Sequence, residues 1–185
     1  MSAIATELLT AQEYALLPDT GEPTELVQGR IVPMNRPHSN HGYHCVEIAS
    51  ILRNFVKANG LGRVVGNDSG VVTERNPDTV RGPDVAFYSF QRMPSGPMPE
   101  GYYWPVSPDL AIEVRSPTDR WRHILRKVGE YLNAGVSIVA VADPDRRTVH
   151  LFHADQPSEV LTPNMLLTFP DVLPGFEITV SVLFE

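Results

Sequence analysis

Apolar positions along the chain follow two rhythms, and each change of rhythm marks an element. Cys45, Ile48, Ala49, Leu52, Phe55 and Val56 share one stripe at helical spacing, predicting a helix capped at Ser39 or Asn40 and ended by Asn59-Gly60. Trp121, Ile124, Leu125, Val128, Tyr131 and Leu132 repeat the pattern in a helix that starts at Thr118 or Asp119, reaches Asn133 and closes at Ala134-Gly135. Thr10 with Glu13 three residues on forms a capping box for a shorter helix toward Leu17.

Alternating or continuous apolar runs predict the strands. Two flank a Gly29 turn within Glu25–Val32, after the punctuation of Pro18 to Pro23. Arg63–Val65 and Gly70–Thr73 follow, joined by a hairpin-like turn at Asn67-Asp68. Then come Pro83–Tyr88, Asp109–Arg115, the nearly unbroken apolar run Val136–Ala142, and Thr148–His153. Shorter strands near Glu159–Leu161 and Met165–Leu167 are expected to finish the sheet, with a last turn at Val180–Phe184. Residues 91–108 are rich in proline and form one long loop, a candidate substrate flap or dimer contact. The order predicts an α/β fold, a central mixed sheet flanked by helices, as one domain over residues 1–185. Asp109–Ala142 is its clear parallel crossover.

Composition narrows this only modestly. The 42% hydrophobic and 20% charged content is ordinary for a globular chain. A net charge of −7 argues against a general nucleic-acid coat protein, though a metal ion can bring positive charge locally to a phosphodiester. Cys45 is the sole cysteine, so an internal disulfide is excluded and a cysteine-based zinc site is not expected. Met1 to Thr10 lacks the pattern of a secretory signal, and Val136–Ala142 is too short to span a bilayer, so a cytoplasmic protein without a membrane is expected.

Two carboxylates stand out against this background. In Asp109–Arg115, Leu110, Ile112 and Val114 face one way; Asp109, Ala111, Glu113 and Arg115 face the other. Asp84 heads the apolar strand Val85-Ala86-Phe87. Buried carboxylates are costly unless paired or bound to metal, and Mg²⁺ takes one or two of them with waters and phosphate oxygens. Two readings stay open from the residues alone. Either Asp84 and Glu113 converge on a metal, or Asp84 caps a turn and Glu113 pairs with Arg115. Lys127, on the flank of its helix, either stabilises charge at the same end of the sheet or snorkels to solvent.

A longer set of segments resembles the Uma2 family, also known as the DUF820 proteins, of the PD-(D/E)XK restriction-endonuclease-like superfamily. They are Glu25–Val32, His41-Gly42, Arg81–Phe87, Pro108–Asp119, Lys127–Val136 and Asp143-Pro144, in the family's order across nearly the whole chain. The resemblance implies a restriction-endonuclease-like core, Mg²⁺ or Mn²⁺ as cofactor, and hydrolysis of phosphodiesters in DNA. Asp84 and Glu113 then match the metal-holding acidic positions, with a backbone carbonyl near Val114 as a further ligand. Arg115 stands where the superfamily usually has lysine. Arginine cannot be a base but can clamp a phosphate. Lys127 matches the family's lysine on the following helix, Glu25 an additional acidic position, and His41 a family histidine; a helix-start histidine bonding a backbone group is the other reading of His41. A homodimer is expected, as nucleases gain by addressing two strands. Two rivals remain: a nucleic-acid-binding or regulatory module that keeps the fold without cleaving, and a structural or interaction protein.

Overall fold

The computed structural model describes residues 8–185. The expectation about a signal at Met1 to Thr10 therefore lies largely outside the described residues. Helix α1 (Ala11–Ala15) opens with the capping box, Thr10 Oγ1 accepting from Glu13 N and Glu13 Oε2 from Thr10 N. Strands β1 (Thr24–Val27) and β2 (Arg30–Pro33) form a hairpin. Its two-residue turn holds Gln28 and Gly29 at φ 49° and 72°, the left-handed region that a tight hairpin twist demands.

Helix α2 (Ser39–Asn59) buries Ile48, Leu52 and Val56, with Cys45, Ala49 and Phe55 packed alongside, and ends at Gly60 in left-handed conformation. Its N-cap is His38, not Ser39 or Asn40, and no side chain makes the capping bond. Strands β3 (Gly62–Gly66) and β4 (Val71–Glu74) do not form the expected hairpin. β3 pairs with β6 (Val85–Ser89), whereas β4 pairs with β5 (Thr79–Arg81), so Asn67-Asp68 carries the chain from one sheet to another. Gly82 permits that crossing, since a Cβ there would stand 2.7 Å from the Asp68 carbonyl oxygen. β5 went unpredicted because its three residues sit between polar and turn-forming neighbours and show no period.

The main sheet has six strands in the order β10-β9-β8-β7-β6-β3. Strand β7 (Leu110–Val114) runs parallel to β8 (Ile138–Asp143), joined by helix α3 (Trp121–Asn133). The other pairings, through β9 (Thr148–Phe152) and β10 (Glu159–Leu161), are antiparallel. The N-cap of α3 is Arg120; Asp119 instead accepts from the Ser116 N–H. Leu125, expected in the buried stripe, is 47% exposed, while the polar Glu130 is buried in its place.

Strand β11 (Leu166–Phe169) does not finish this sheet. It pairs with β12 (Leu173–Thr179), a strand hidden in the sequence by Pro174 and Gly175, to make a separate two-stranded ribbon. A 3₁₀ turn at Val180–Phe184 follows. Ribbon, turn and α2 cover one face of the main sheet around Ile112, Val114 and Ala140. Helix α3 covers the other around Ala111, Val139 and Val141. A smaller antiparallel sheet, β2-β1-β5-β4, stands beside the α3 face. The 91–108 loop is strapped down: Arg92 donates to the carbonyls of Ser107, Pro108 and Gly135, and Arg63 to those of Met93, Pro94 and Gly96. No helix among the described residues is long and apolar enough to cross a membrane.

Candidate functional site

Where the two sheets meet α2 and α3, a cleft of about 750 Å³ opens. Glu25 from β1, Arg81 from β5, Asp84 from the bend before β6, Glu113 and Val114 from β7 and Lys127 from α3 all line it, with His41 from the first turn of α2. Residues 91–108 do not line the cleft.

Asp84 is fixed by its neighbour strand. Its Oδ2 accepts the Val114 N–H at 2.6 Å, and its Oδ1 lies 3.4 Å from His41 Nε2. The carboxylate thus clamps β6 to β7 and does not cap a turn. His41 is held above its ordinary pKa chiefly by the hydrogen bond with Asp84, against the cost of burial.

Glu113 is 8% exposed. Tyr131 donates its hydroxyl to Oε1 at 2.8 Å, and Lys127 Nζ lies 3.3 Å from Oε2. Burial nonetheless pushes the Glu113 carboxyl up to about 7, helped by the negative neighbours Asp84 and Glu25. Among the charges around it, Lys127 opposes that rise while Asp84 and Glu25 add to it. Burial works against the Lys127 ammonium, but Glu113 and Glu25 outweigh it and keep that group charged beyond its usual range.

Glu25 divides its oxygens between two cations, Oε1 3.0 Å from Lys127 and Oε2 2.6 Å from Arg81. Arg81 in turn grips Glu130 through Nε and Nη2, and Arg126 meets Glu130 at 2.9 Å. Lys127 is thus set by a chain of buried ion pairs running from α3 to β5 and β1. Arg81 and Glu130 carried no sign of this role: Arg126 and Glu130 at i, i+4 read as an ordinary surface pair on a helix. Tyr131 gave none either, since its ring belongs to the buried stripe.

Arg115 is not brought into the cleft. The parallel register Val114↔Ala142 sets it beside Asp143, and its Nη1 lies 3.1 Å from that fully buried carboxylate and 3.7 Å from Asp145. Its guanidinium lies 5.8 Å from the Trp121 ring centre. Neither the pairing of Glu113 with Arg115 nor a phosphate clamp at Arg115 matches this arrangement. Beside Asp84 and His41 lies Cys45, whose Sγ is 3.4 Å from His41 Nδ1. The sequence reading placed it only in the core stripe.

A mixed sheet with one parallel crossover and a cleft of clustered carboxylates and one lysine is the architecture of restriction-endonuclease-like folds. A solved structure of a "putative nuclease belonging to DUF820" from Anabaena variabilis ATCC 29413 shares it, with a TM-score of 0.82 at 24% identity. That likeness covers 95% of this chain and 97% of the other. The family Uma2, described as "putative restriction endonuclease", matches residues 11–181, and the chain belongs to it. No curated protein matches the chain.

Proposed function

We propose that this chain is a metal-dependent endonuclease that hydrolyses phosphodiester bonds in DNA. The observation that carries the reading is the buried Glu113 carboxyl facing the same cleft as Asp84 and Lys127. Asp84, Glu113 and the Val114 carbonyl would hold Mg²⁺ or Mn²⁺, since the donors are hard oxygens. A bound ion of this kind supplies positive charge against the phosphate and acidifies a water.

The chain's own residues do the rest. Lys127 stays an ammonium, so it acts as a donor and a charge toward water or phosphate, and not as a base. Glu25 and Arg81 hold it there as positioning residues. His41 fixes the Asp84 carboxylate. Arg115 is left out of this reading, as Asp143 takes its guanidinium. A symmetric pair of chains, working on DNA in the cytoplasm, completes the proposal; sedimentation tests the pairing.

The test is cleavage of supercoiled and branched DNA with Mg²⁺ or Mn²⁺. Wild type is expected to cut, and Asp84→Ala, Glu113→Ala and Lys127→Ala to lose cutting. Wild-type rates in all three variants would sink the proposal. Retained DNA binding without any cutting by wild type would favour the binding-module alternative.

A further inference from the structure

Cys45 stands outside the chemistry proposed above, yet it is not isolated. His41 and Cys45 are four residues apart on α2 and share a face. A third donor, Asp84, arrives from the start of β6, and one ligand atom of each residue lies within 4.8 Å of the other two. His41 Nε2 is 4.0 Å from Cys45 Sγ and 3.4 Å from Asp84 Oδ1. Around a tetrahedral zinc, bonds of about 2.3 Å to sulfur and about 2.0 Å to nitrogen or oxygen set neighbouring donors roughly 3.3–3.6 Å apart. His41 needs to adjust by only about half an ångström toward Cys45 and Asp84 to meet that geometry, and the Cys45–Asp84 gap, within 4.8 Å, must close by no more than about 1.3 Å. A thiolate and an imidazole also favour Zn²⁺ and Co²⁺ over Mg²⁺, which prefers oxygen alone.

The geometry points to a second cation mode in this cleft: His41, Cys45 and Asp84 bind a thiophilic divalent ion such as Zn²⁺. A fourth position is left for water. As Cys45 Sγ bonds the metal, its thiol proton passes to solvent. Asp84 is shared with the hard-ion site, so zinc occupancy withdraws a ligand from that site. The binding claim stands alone; the inhibition it implies rests on the nuclease reading.

Cys45 is the sole cysteine, so a thiolate-to-cobalt charge-transfer band can arise only from this residue. Co²⁺ titration of the metal-stripped full chain is expected to give that band in the near ultraviolet, saturating at one ion per chain. Zn²⁺ displaces it. Cys45→Ser and Cys45→Ala both abolish it and weaken Zn²⁺ binding by more than about tenfold. Absence of the band in wild type overturns the proposal. So does saturation at one ion per two chains with concentration-dependent pairing, which marks a bridge between molecules. Thermal shift with Mg²⁺ keeps the two readings apart. A cobalt band without any Mg²⁺ response leaves this site standing and counts against the nuclease reading. A normal Mg²⁺ response in Cys45→Ser, with the band gone, supports both.

Discussion

Glu113 and Arg115 lie two residues apart on one edge of the same chain segment, yet their surroundings treat charge in opposite ways. Arg115 meets the fully buried anion Asp143 and, at 3.7 Å, the exposed Asp145, with Trp121 alongside. Glu113 faces a cleft that the carboxylates of Glu25, Asp68 and Asp84 also line, and burial pushes its own carboxyl up to about 7. The Arg115–Asp143 pair locks β7 to β8. The buried Glu113 carboxylate keeps a cost that stability alone would remove. Such residual strain is expected where a site must accept a cation or a charged substrate.

Substitution should separate the two groups sharply. Glu113→Gln is expected to lower metal-dependent DNA cleavage by about a thousandfold, the upper range for removing one charge-stabilising group, with the fold intact. A loss below tenfold would assign Glu113 to structure. Asp143→Asn should do the reverse, costing about 3 kcal/mol in urea denaturation because the half-buried Arg115 loses its fully buried partner. Any loss of cutting there should follow the loss of folded protein.

The pH dependence of the metal-free chain sharpens the contrast. The folded Glu113 value, about 7, stands above an unfolded value of about 4.3. The folded chain therefore binds more protons between those limits, and this contribution to stability is present in acid and drains away as pH rises toward 7. Mg²⁺ needs the ionised carboxylate, so its thermal stabilisation should grow over the same window. Equal Mg²⁺ shifts at pH 6 and pH 8 would remove Glu113 from the metal site.

The smallest effect is expected at Asp78, which does not line the cleft. Burial works against its carboxylate, but the N–H groups of Ala11 and Asn76 and the Arg75 guanidinium outweigh that and lower its pKa. Its contribution is present above about pH 3.9 and is lost as pH falls through the lower folded value. Asp78→Ala should cost about 1 kcal/mol at neutral pH without touching cleavage.

The regular elements were legible where a period was long enough to repeat. The stripe of α2, the alternation of β7 and the unbroken run of β8 each declare their buried face residue by residue. β5 and β12 were not legible, one for want of length and the other because Pro174 and Gly175 interrupt its pattern. The turn at Asn67-Asp68 was visible as a turn, but local chemistry cannot say that it leads into a different sheet. Asp84, Glu113, Lys127, Glu25 and His41 were all marked by type and order along the chain, and all line one cleft.

What the sequence determined by itself was thus the set of periodic elements and the residues carrying unusual charge, because both are properties of spacing and composition. Partnership was decided only by the tertiary structure. Arg115 could have joined Glu113, but the parallel register of β7 on β8 gives it to Asp143. Arg81 and Glu130 looked like ordinary charges until β5 and α3 brought them together behind Lys127. Charge energies depend on distance and burial, and both are set by segments that meet from far along the chain.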